Sequence, residues 1–294
     1  MTRRAVEVVV PASSANLGSG FDALGLAIAH YDTVTVAMTD TGLVLRVDGE
    51  GAGSVPCDDS HLVLRALRAA CDKLGFPLAG LEIDCRNVIP HGRGLGSSAA
   101  AVVAGVVAGY ALAEREIDDQ ALQLAAGFEG HADNAAASLY GGLVIAWQDE
   151  DGYRAVRVEP HPDLAPVLFV PDNESATATT RGLLPAQVPH ADAAFAAGRA
   201  ALAVHALTID PTELLAATDD RLHQHYRESA WPQTYKLVAE LRAAGVPAAV
   251  SGAGPSVLAF RPVGGLPADL VHSGFTRFDL GIDLAGARSR VVES

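Results

Sequence analysis

The chain has 294 residues, a length typical of two domains. Hydrophobic residues make up 49% of it and charged residues 19%, which excludes a disordered chain, a collagen-like repeat and a disulfide-stapled peptide. The formal net charge of −14 argues against binding to nucleic acid or to an anionic membrane surface, because like charges repel.

The cysteines and the N-terminal residues predict the compartment. Cys57, Cys71 and Cys85 form no CxxC pair, which favours free thiols in a reducing environment over a disulfide framework or a zinc site. Glu7 and Pro11 interrupt the short apolar run near the N-terminus, so no signal peptide is predicted. The longest apolar run, 99–113, is shorter than the roughly 20 residues that span a bilayer. We expect a cytoplasmic protein.

The first half of the chain alternates short strands with helices. Hydrophobic periodicity predicts strands at 6–10, 21–29, 33–38, 42–48, 81–85, 143–147 and 153–158, the last two as a hairpin. It predicts helices at 61–74 and 97–114, and a third that Asp118 or Asp119 caps and that continues through Phe128.

The composition changes near residue 160, where several prolines precede new elements. The pattern predicts strands at 167–170, 248–251 and 257–260, and helices at 191–207, 211–226 and 231–244. We therefore predict two α+β domains, residues 1–158 and 159–294.

The segment 90–100, PHGRGLGSSAA, is the most informative part of the sequence. Its glycines allow positive φ and a close approach of the backbone to a ligand. Free amides at the start of the predicted helix favour an anion such as phosphate, and the two serines add hydroxyls. No lysine follows, so this is not a Walker loop. Taken alone, it also fits an ordinary strand-to-helix turn.

Two further glycine-rich segments accompany it. Segment 11–25, PASSANLGSGFDALG, places Asp22 at the start of an apolar run, where a carboxylate needs a partner such as a ligand ammonium. Segment 251–256, SGAGPS, lies between two apolar strands. Taken separately, they also fit a capped surface loop and a tight hairpin.

Together, in order, spacing and type, the three segments resemble the motifs of the GHMP kinase superfamily. Within it, segment 11–25 and the cluster 129–134, EGHADN, are similar to homoserine kinases. The resemblance runs from residue 6 to about 260 and implies a ribosomal-S5-like N-terminal domain, a ferredoxin-like C-terminal domain, and ATP bound in the cleft between them.

The resemblance also implies a set of site residues. ATP would bind Pro90, His91, Gly92, Arg93, Gly94, Leu95, Gly96, Ser97, Ser98 and Ala99. Mg²⁺ would be held by Ser97 or Ser98, and by Glu129. L-Homoserine would bind Asn16, Asp22, His131, Asn134, Arg181 and Arg227. Thr177 would lie near the transferred phosphate, and Asp133 matches the aspartate that other superfamily members use as a base; with Arg181, they form the predicted catalytic set.

The chemistry of the residues agrees with an amino-acid substrate. Asp22 suits an ammonium, and the guanidinium forks of Arg181 and Arg227 suit a carboxylate. Phosphoryl transfer requires mainly positioning and charge neutralisation, so whether Asp133 acts as a base stays open. The remaining histidines, His223 among them, are interpreted as structural or surface residues.

Two alternatives remain at this point. One is a GHMP-type kinase for another small alcohol, which the apparent provision for both an ammonium and a carboxylate disfavours. The other is a catalytically silent ligand-binding member, which the intact glycine loops, serines and Glu129 disfavour. The relatives suggest a homodimer.

Overall fold

The computed structural model describes residues 4–172, 180–262, 264–266 and 274–293. Helices and strands are both abundant and build two sheets, which confirms the predicted α+β class. The larger sheet has seven strands: β1 (Arg4–Ala15), β2 (Leu24–Thr39), β3 (Leu43–Gly49), β4 (Gly80–Asn87), β5 (Leu143–Asp149), β6 (Gly152–Val158) and β11 (Arg288–Glu293).

The first two strands are longer than their patterns predict. β1 continues four residues beyond Pro11, because a register shift between Pro11 and Ala12 accommodates the residue that lacks an N–H. The separate strands predicted at 21–29 and 33–38 form the single strand β2. Both strands thereby bring segment 11–25 to one end of the sheet.

Four helices belong to this half of the molecule: α1 (Leu62–Leu74), α2 (Ser97–Leu112), α3 (Asp119–Glu129) and α4 (Asp133–Tyr140). The small residues of α2 explain its burial, because a Cβ added at Gly105 or Gly109 would collide with α1. Asp118 caps α3 through the amides of Gln120 and Ala121. The sequence did not predict α4.

The second sheet is antiparallel, in the order β10 (Phe275–Asp279), β7 (Pro166–Pro171), β9 (Val257–Phe260) and β8 (Ala248–Val250). Two helices follow the prediction closely, α5 (His190–Thr208) and α7 (Pro232–Ala243). The helix predicted at 211–226 is wrong. The chain instead forms a 3₁₀ turn (Pro211–Glu213), the short helix α6 (Leu214–Ala217) and a second 3₁₀ turn (His225–Arg227).

Asp220 explains why that helix breaks. Its carboxylate accepts hydrogen bonds from the amides of Leu222, His223 and Gln224, at 2.8, 3.1 and 2.8 Å, which replaces helical backbone pairing with a side-chain turn. The turn carries Arg227 away from α6 and towards the cleft.

The last strand returns to the first sheet. β11 pairs antiparallel with β1 from Arg4↔Glu293 to Val9↔Arg288, although it follows the strands of the second sheet in the chain. The main apolar core also combines both halves, since Leu168 and Phe260 pack with β1, β2 and α2. Within the described ranges, no helix combines the length and the apolar character of a membrane span.

Candidate active site

One cavity of about 670 Å³ lies where the three glycine-rich segments meet. Most of the predicted site residues line it, namely Asn16, Asp22, His91, Gly92, Arg93, Gly94, Leu95, Gly96, Ser97, Ser98, Glu129, His131, Asp133, Asn134, Arg181 and Arg227. Pro90 and Ala99 are buried beside it rather than on its wall. Thr177 lies outside the described residues. The structure thus gathers on one surface residues that are far apart in the sequence.

The loop before α2 requires glycine at Gly94 and Gly96. Their φ angles are +73° and +68°, in the left-handed region. A Cβ on Gly96 would overlap Ser13 Oγ, and a Cβ on Gly94 would overlap the carbonyl oxygen of Ser251. Gly96 is also the N-cap of α2 and offers no side-chain cap, so the helix begins at the cavity wall with its positive dipole end open to an anion.

Hydrogen bonds fasten the three segments to one another. Ser251 Oγ lies 2.7 Å from the Gly94 carbonyl oxygen, to which it donates, and 2.8 Å from Ser14 Oγ. Asn16 Nδ2 donates to the Gly252 carbonyl at 2.8 Å, and the Gly252 amide donates to Ala15 at 3.1 Å. The contacts join both sheets at the cavity and stiffen its floor.

Arg93 braces the same loop from the other side. Its Nε donates to the Pro171 carbonyl at 2.9 Å and its Nη2 to the Asp172 carbonyl at 2.7 Å, both at the end of β7. A third bond, from Nη1 to the His91 carbonyl at 2.8 Å, closes the loop on itself. The guanidinium therefore ties the glycine loop to the second sheet.

Ser98 and Glu129 form a small oxygen cluster where α2 begins and α3 ends. The Ser98 hydroxyl donates to Glu129 Oε1 at 2.6 Å. Hydroxyl and carboxylate oxygens suit Mg²⁺, which takes only one or two carboxylates when substrate phosphates and water complete its shell. Among the described residues, no cluster of three or more His, Cys, Asp or Glu side chains could hold a metal by itself. The donor set fits a metal that arrives with a nucleotide.

Asp133 is buried at the start of α4, and one of its carboxylate oxygens accepts two hydrogen bonds. Its Oδ1 lies 2.8 Å from His131 Nδ1 and accepts the Asn134 amide at 2.7 Å. The bond to Asp133 raises the pKa of His131, against the opposing effect of burial. Asn134 is fixed in turn, because its Oδ1 accepts a hydrogen bond from Ser13 Oγ at 3.0 Å.

Asp22 and the two predicted carboxylate-binding arginines form a charged cluster. Asp22 takes a left-handed φ of +53°, and its amide donates to Asn16 Oδ1 at 3.0 Å. Arg181 grips the Asp22 carboxylate with two hydrogen bonds, of 3.0 and 2.8 Å. Groups that were assigned to opposite ends of a zwitterion thus pair with each other in this structure. Arg227 lies beside them and is only 3% exposed.

The end of the cavity beyond the glycine loop is a region that sequence reasoning missed. Val55, Pro56, Leu62, Val63 and Phe128 line it, with polar groups from His61 and Asn87. Scattered apolar residues before a helix carry no pattern that distinguishes a ligand pocket from ordinary core. Only the folded chain brings Val55, Pro56, Leu62 and Val63 to the same cavity as Phe128.

Asp32 also lines the cavity, and the sequence analysis did not single it out. Its buried Oδ1 accepts the amides of Val88 at 2.6 Å and Ile89 at 2.9 Å, just before the glycine loop. Burial raises the pKa of Asp32, and the two amide bonds oppose that shift. An acidic residue inside the apolar alternation of β2 is the signal that could have drawn attention to it.

Comparison with known proteins agrees with this architecture. Residues 61–142 match the family described as "GHMP kinases N terminal domain". The structure of homoserine kinase from Cytophaga hutchinsonii superposes with a TM-score of 0.85 at 26% identity, covering 97% of each chain. The fold and the glycine-loop cavity therefore define a kinase of the GHMP superfamily.

Sequence relatives identify the family within this superfamily. The homoserine kinase of Streptomyces avermitilis is 52% identical over 289 residues, which cover 96% of this chain and 95% of that protein. The homoserine kinase of Streptomyces coelicolor is 55% identical over 259 residues, covering 87% and 84%. The chain belongs to the homoserine kinase family.

Proposed function

We propose that this enzyme transfers the γ-phosphoryl group of ATP to the side-chain hydroxyl of L-homoserine, giving O-phospho-L-homoserine and ADP in threonine biosynthesis. The carrying observation is one cavity that joins an open helix N-terminus to a cluster of one carboxylate and two guanidinium groups. The first region suits a triphosphate, and the second suits a zwitterion.

In this proposal the nucleotide runs along the glycine loop. The amides at the start of α2 receive the phosphates. The apolar end near Val55 and Phe128 receives the adenine, because apolar side chains favour burial of a purine ring. Arg93 holds the loop in shape through its carbonyl contacts. Ser98 and Glu129 would hold Mg²⁺, with Ser97 beside them on the cavity wall. When bound, the metal supplies charge neutralisation at the phosphates.

The amino acid would occupy the charged cluster. Its ammonium would take the place of the Arg181 guanidinium at Asp22, and its carboxylate would engage Arg181 and Arg227. Each charged group of the cluster then contacts an opposite charge, with the two guanidinium groups sharing the substrate carboxylate, which favours a zwitterion over a neutral alcohol. His131 and Asn134 would orient the hydroxyl, since both are fixed by Asp133 and Ser13.

The proposed function is tested by following ADP release from ATP and Mg²⁺ with L-homoserine, mevalonate, galactose or shikimate. We expect turnover with homoserine alone, and its loss when Mg²⁺ is omitted. Turnover with another alcohol would move the protein within the superfamily. Nucleotide binding without any turnover would favour a silent ligand-binding member.

Replacing one buried guanidinium sharpens the test. Arg227→Gln should raise the homoserine KM roughly 10- to 100-fold, because a charge-assisted hydrogen bond contributes about 1.5–3 kcal/mol, while the ATP KM stays nearly constant. Arg221→Gln is the matched control, since Arg221 pairs with Asp192 at 3.5 Å and does not line the cavity. Equal effects on both KM values would place Arg227 outside the amino-acid subsite.

Three further parts of the interpretation stay predictions. The contribution of Thr177 near the transferred phosphate and assembly as a homodimer rest on the resemblance, and a location in the cytoplasm rests on the cysteines and the apolar segments of the sequence.

A further inference from the structure

His223 lies directly behind the charged cluster, in the turn that replaces the predicted helix. Its side chain is completely buried and is not part of the cavity wall. The sequence offered no reason to separate it from the other histidines, yet it contacts two segments that build the proposed amino-acid subsite.

The partners of the His223 ring fix its protonation. Nδ1 lies 2.9 Å from Arg227 Nη1, and Nε2 lies 2.8 Å from the Gly18 carbonyl oxygen. A guanidinium can only donate and a carbonyl can only accept, so Nδ1 must be the acceptor and Nε2 must carry the hydrogen. The ring is therefore a neutral imidazole that bridges Arg227 to the loop 16–22.

Aromatic contacts hold the same arrangement. The Phe21 ring stacks on the His223 ring with centroids 5.1 Å apart and an interplanar angle of 25°. The guanidinium carbons of Arg181 and Arg227 each lie 5.8 Å from the Phe21 centroid. Phe21 thus contacts all three groups and limits how far either arginine can move.

We infer that His223 is the positioning residue for Arg227: its neutral imidazole holds the guanidinium at the carboxylate end of the amino-acid subsite and links it to Gly18. The inference rests on the proposed function and deepens it. Among the described residues, the Arg227 side chain has one further hydrogen bond, from Nε to the Thr180 carbonyl at 3.4 Å, so the imidazole, at 2.9 Å, is the closer of its two partners.

Protonation of His223 should make homoserine binding depend on pH, and burial together with the surrounding charges sets the pKa of the ring. Asp220 Oδ2 lies 3.7 Å from His223 Nε2. The other charged groups that act on the ring are Arg227 and Asp22, and Arg181 acts in turn on Arg227. Burial is the largest effect and lowers the pKa of His223, with Asp220 opposing it. Protonation would place a hydrogen on Nδ1 and remove the acceptor of Arg227. The rise in homoserine KM that belongs to His223 should therefore begin only at a pH below the ordinary histidine pKa, whereas His131, whose pKa is raised, titrates above that value.

Two substitutions separate positioning from mere packing. His223→Leu removes both hydrogen bonds at similar volume, and we expect the homoserine KM to rise roughly tenfold or more while the ATP KM changes less than about twofold. His223→Gln retains an acceptor and a donor but does not titrate. It should restore the homoserine KM to within a few-fold and abolish its rise in acid. His225→Leu, an exposed histidine two residues away, is the control and should change neither KM.

A double substitution tests whether His223 acts through Arg227. In the Arg227→Gln background, His223→Leu should have little further effect on the homoserine KM. A full additional effect would overturn the inference, as would equal rises in both KM values.

A measurement on the free wild-type protein decides the point independently of turnover. The ring ¹⁵N shifts of His223 should report hydrogen on Nε2 and none on Nδ1. The opposite tautomer or a charged ring at neutral pH would overturn the inference even if homoserine is phosphorylated. Conversely, absence of homoserine turnover with the expected tautomer would reject the proposed function and leave the bridge to Arg227 intact.

Discussion

Several polar side chains at the site already form hydrogen bonds or ion pairs with neighbouring residues. Asp133 shows this most clearly, because the one oxygen that accepts from His131 also accepts the Asn134 amide. A carboxylate so engaged is well placed to orient its neighbours. The paired Asp22 and Arg181 are a second case, in which each of two groups proposed to bind substrate already has the other as an opposite charge.

Substituting Asp133 distinguishes orientation from general-base catalysis. The substitution Asp133→Asn keeps an oxygen that can accept from His131 and Asn134, and a loose phosphoryl-transfer transition state requires little help from a base. We therefore expect kcat to fall by no more than about tenfold, as measured by ADP release at saturating homoserine and ATP. A loss of several orders of magnitude with an unchanged fold would assign Asp133 the base role.

The three cysteines show what residue type alone can and cannot indicate. All three are free, as the sequence predicted, but only Cys57 is exposed. Burial raises the pKa of Cys71 to about 11 and that of Cys85 to about 12, so both remain protonated at neutral pH. Their unreactive state follows from depth in the core, which the spacing of cysteines does not encode.

At the scale of elements, local patterns predicted most helices and strands within a few residues. The helix predicted at 211–226 failed because the Asp220 carboxylate captured three amides that a helix would have paired internally. α4 was missed because eight residues, DNAAASLY, are too short to display helical periodicity. The first departure leads to Arg227 and the second begins with Asp133 and Asn134, and these three residues line the cavity.

The turn into α2 is an element whose glycine can be tested directly. Gly96→Ala should cost about 1–3 kcal/mol of unfolding free energy and raise the ATP KM, because the residue is left-handed and its Cβ would displace Ser13 Oγ. Gly127→Ala is the control, since Gly127 lies within α3 and a Cβ there would meet open space. It should be neutral or stabilise by up to about 1 kcal/mol in urea titrations. Equal behaviour of the two variants would contradict this view of the loop.

At the scale of the whole molecule, the C-terminal strand joins the two halves. β11 covers the edge of β1, and Arg288 donates to the buried Asp283 at 2.8 Å, which also accepts from Tyr31 at 2.9 Å. The strand pattern at 288–293 is too short to signal its partner, nearly 290 residues earlier in the chain.

Deleting residues 288–294 should therefore destabilise the protein far more than a surface change on the same strand. Removing β11 exposes the β1 edge and leaves Asp283 without Arg288, so we expect a loss of several kcal/mol and a clear fall in the melting temperature. Arg290→Gln, which removes only an exposed ion pair with Glu7, should cost less than about 1 kcal/mol. Unchanged melting of the truncated chain would show that β11 is dispensable.

The sequence by itself determined most of the helices and strands, although not α4, β10 or β11. It also determined the glycines of the loop before α2 and the residue types that suit a phosphate and a zwitterion. These depend on backbone conformation and side-chain chemistry, which a few neighbouring residues fix. Only the tertiary structure decided that Arg181 pairs with Asp22, that His223 bridges Arg227 to Gly18, and that Val55 and Leu62 line one cavity with Phe128. Those contacts join residues far apart in the chain, and their geometry follows from how the two sheets pack, which no local pattern records.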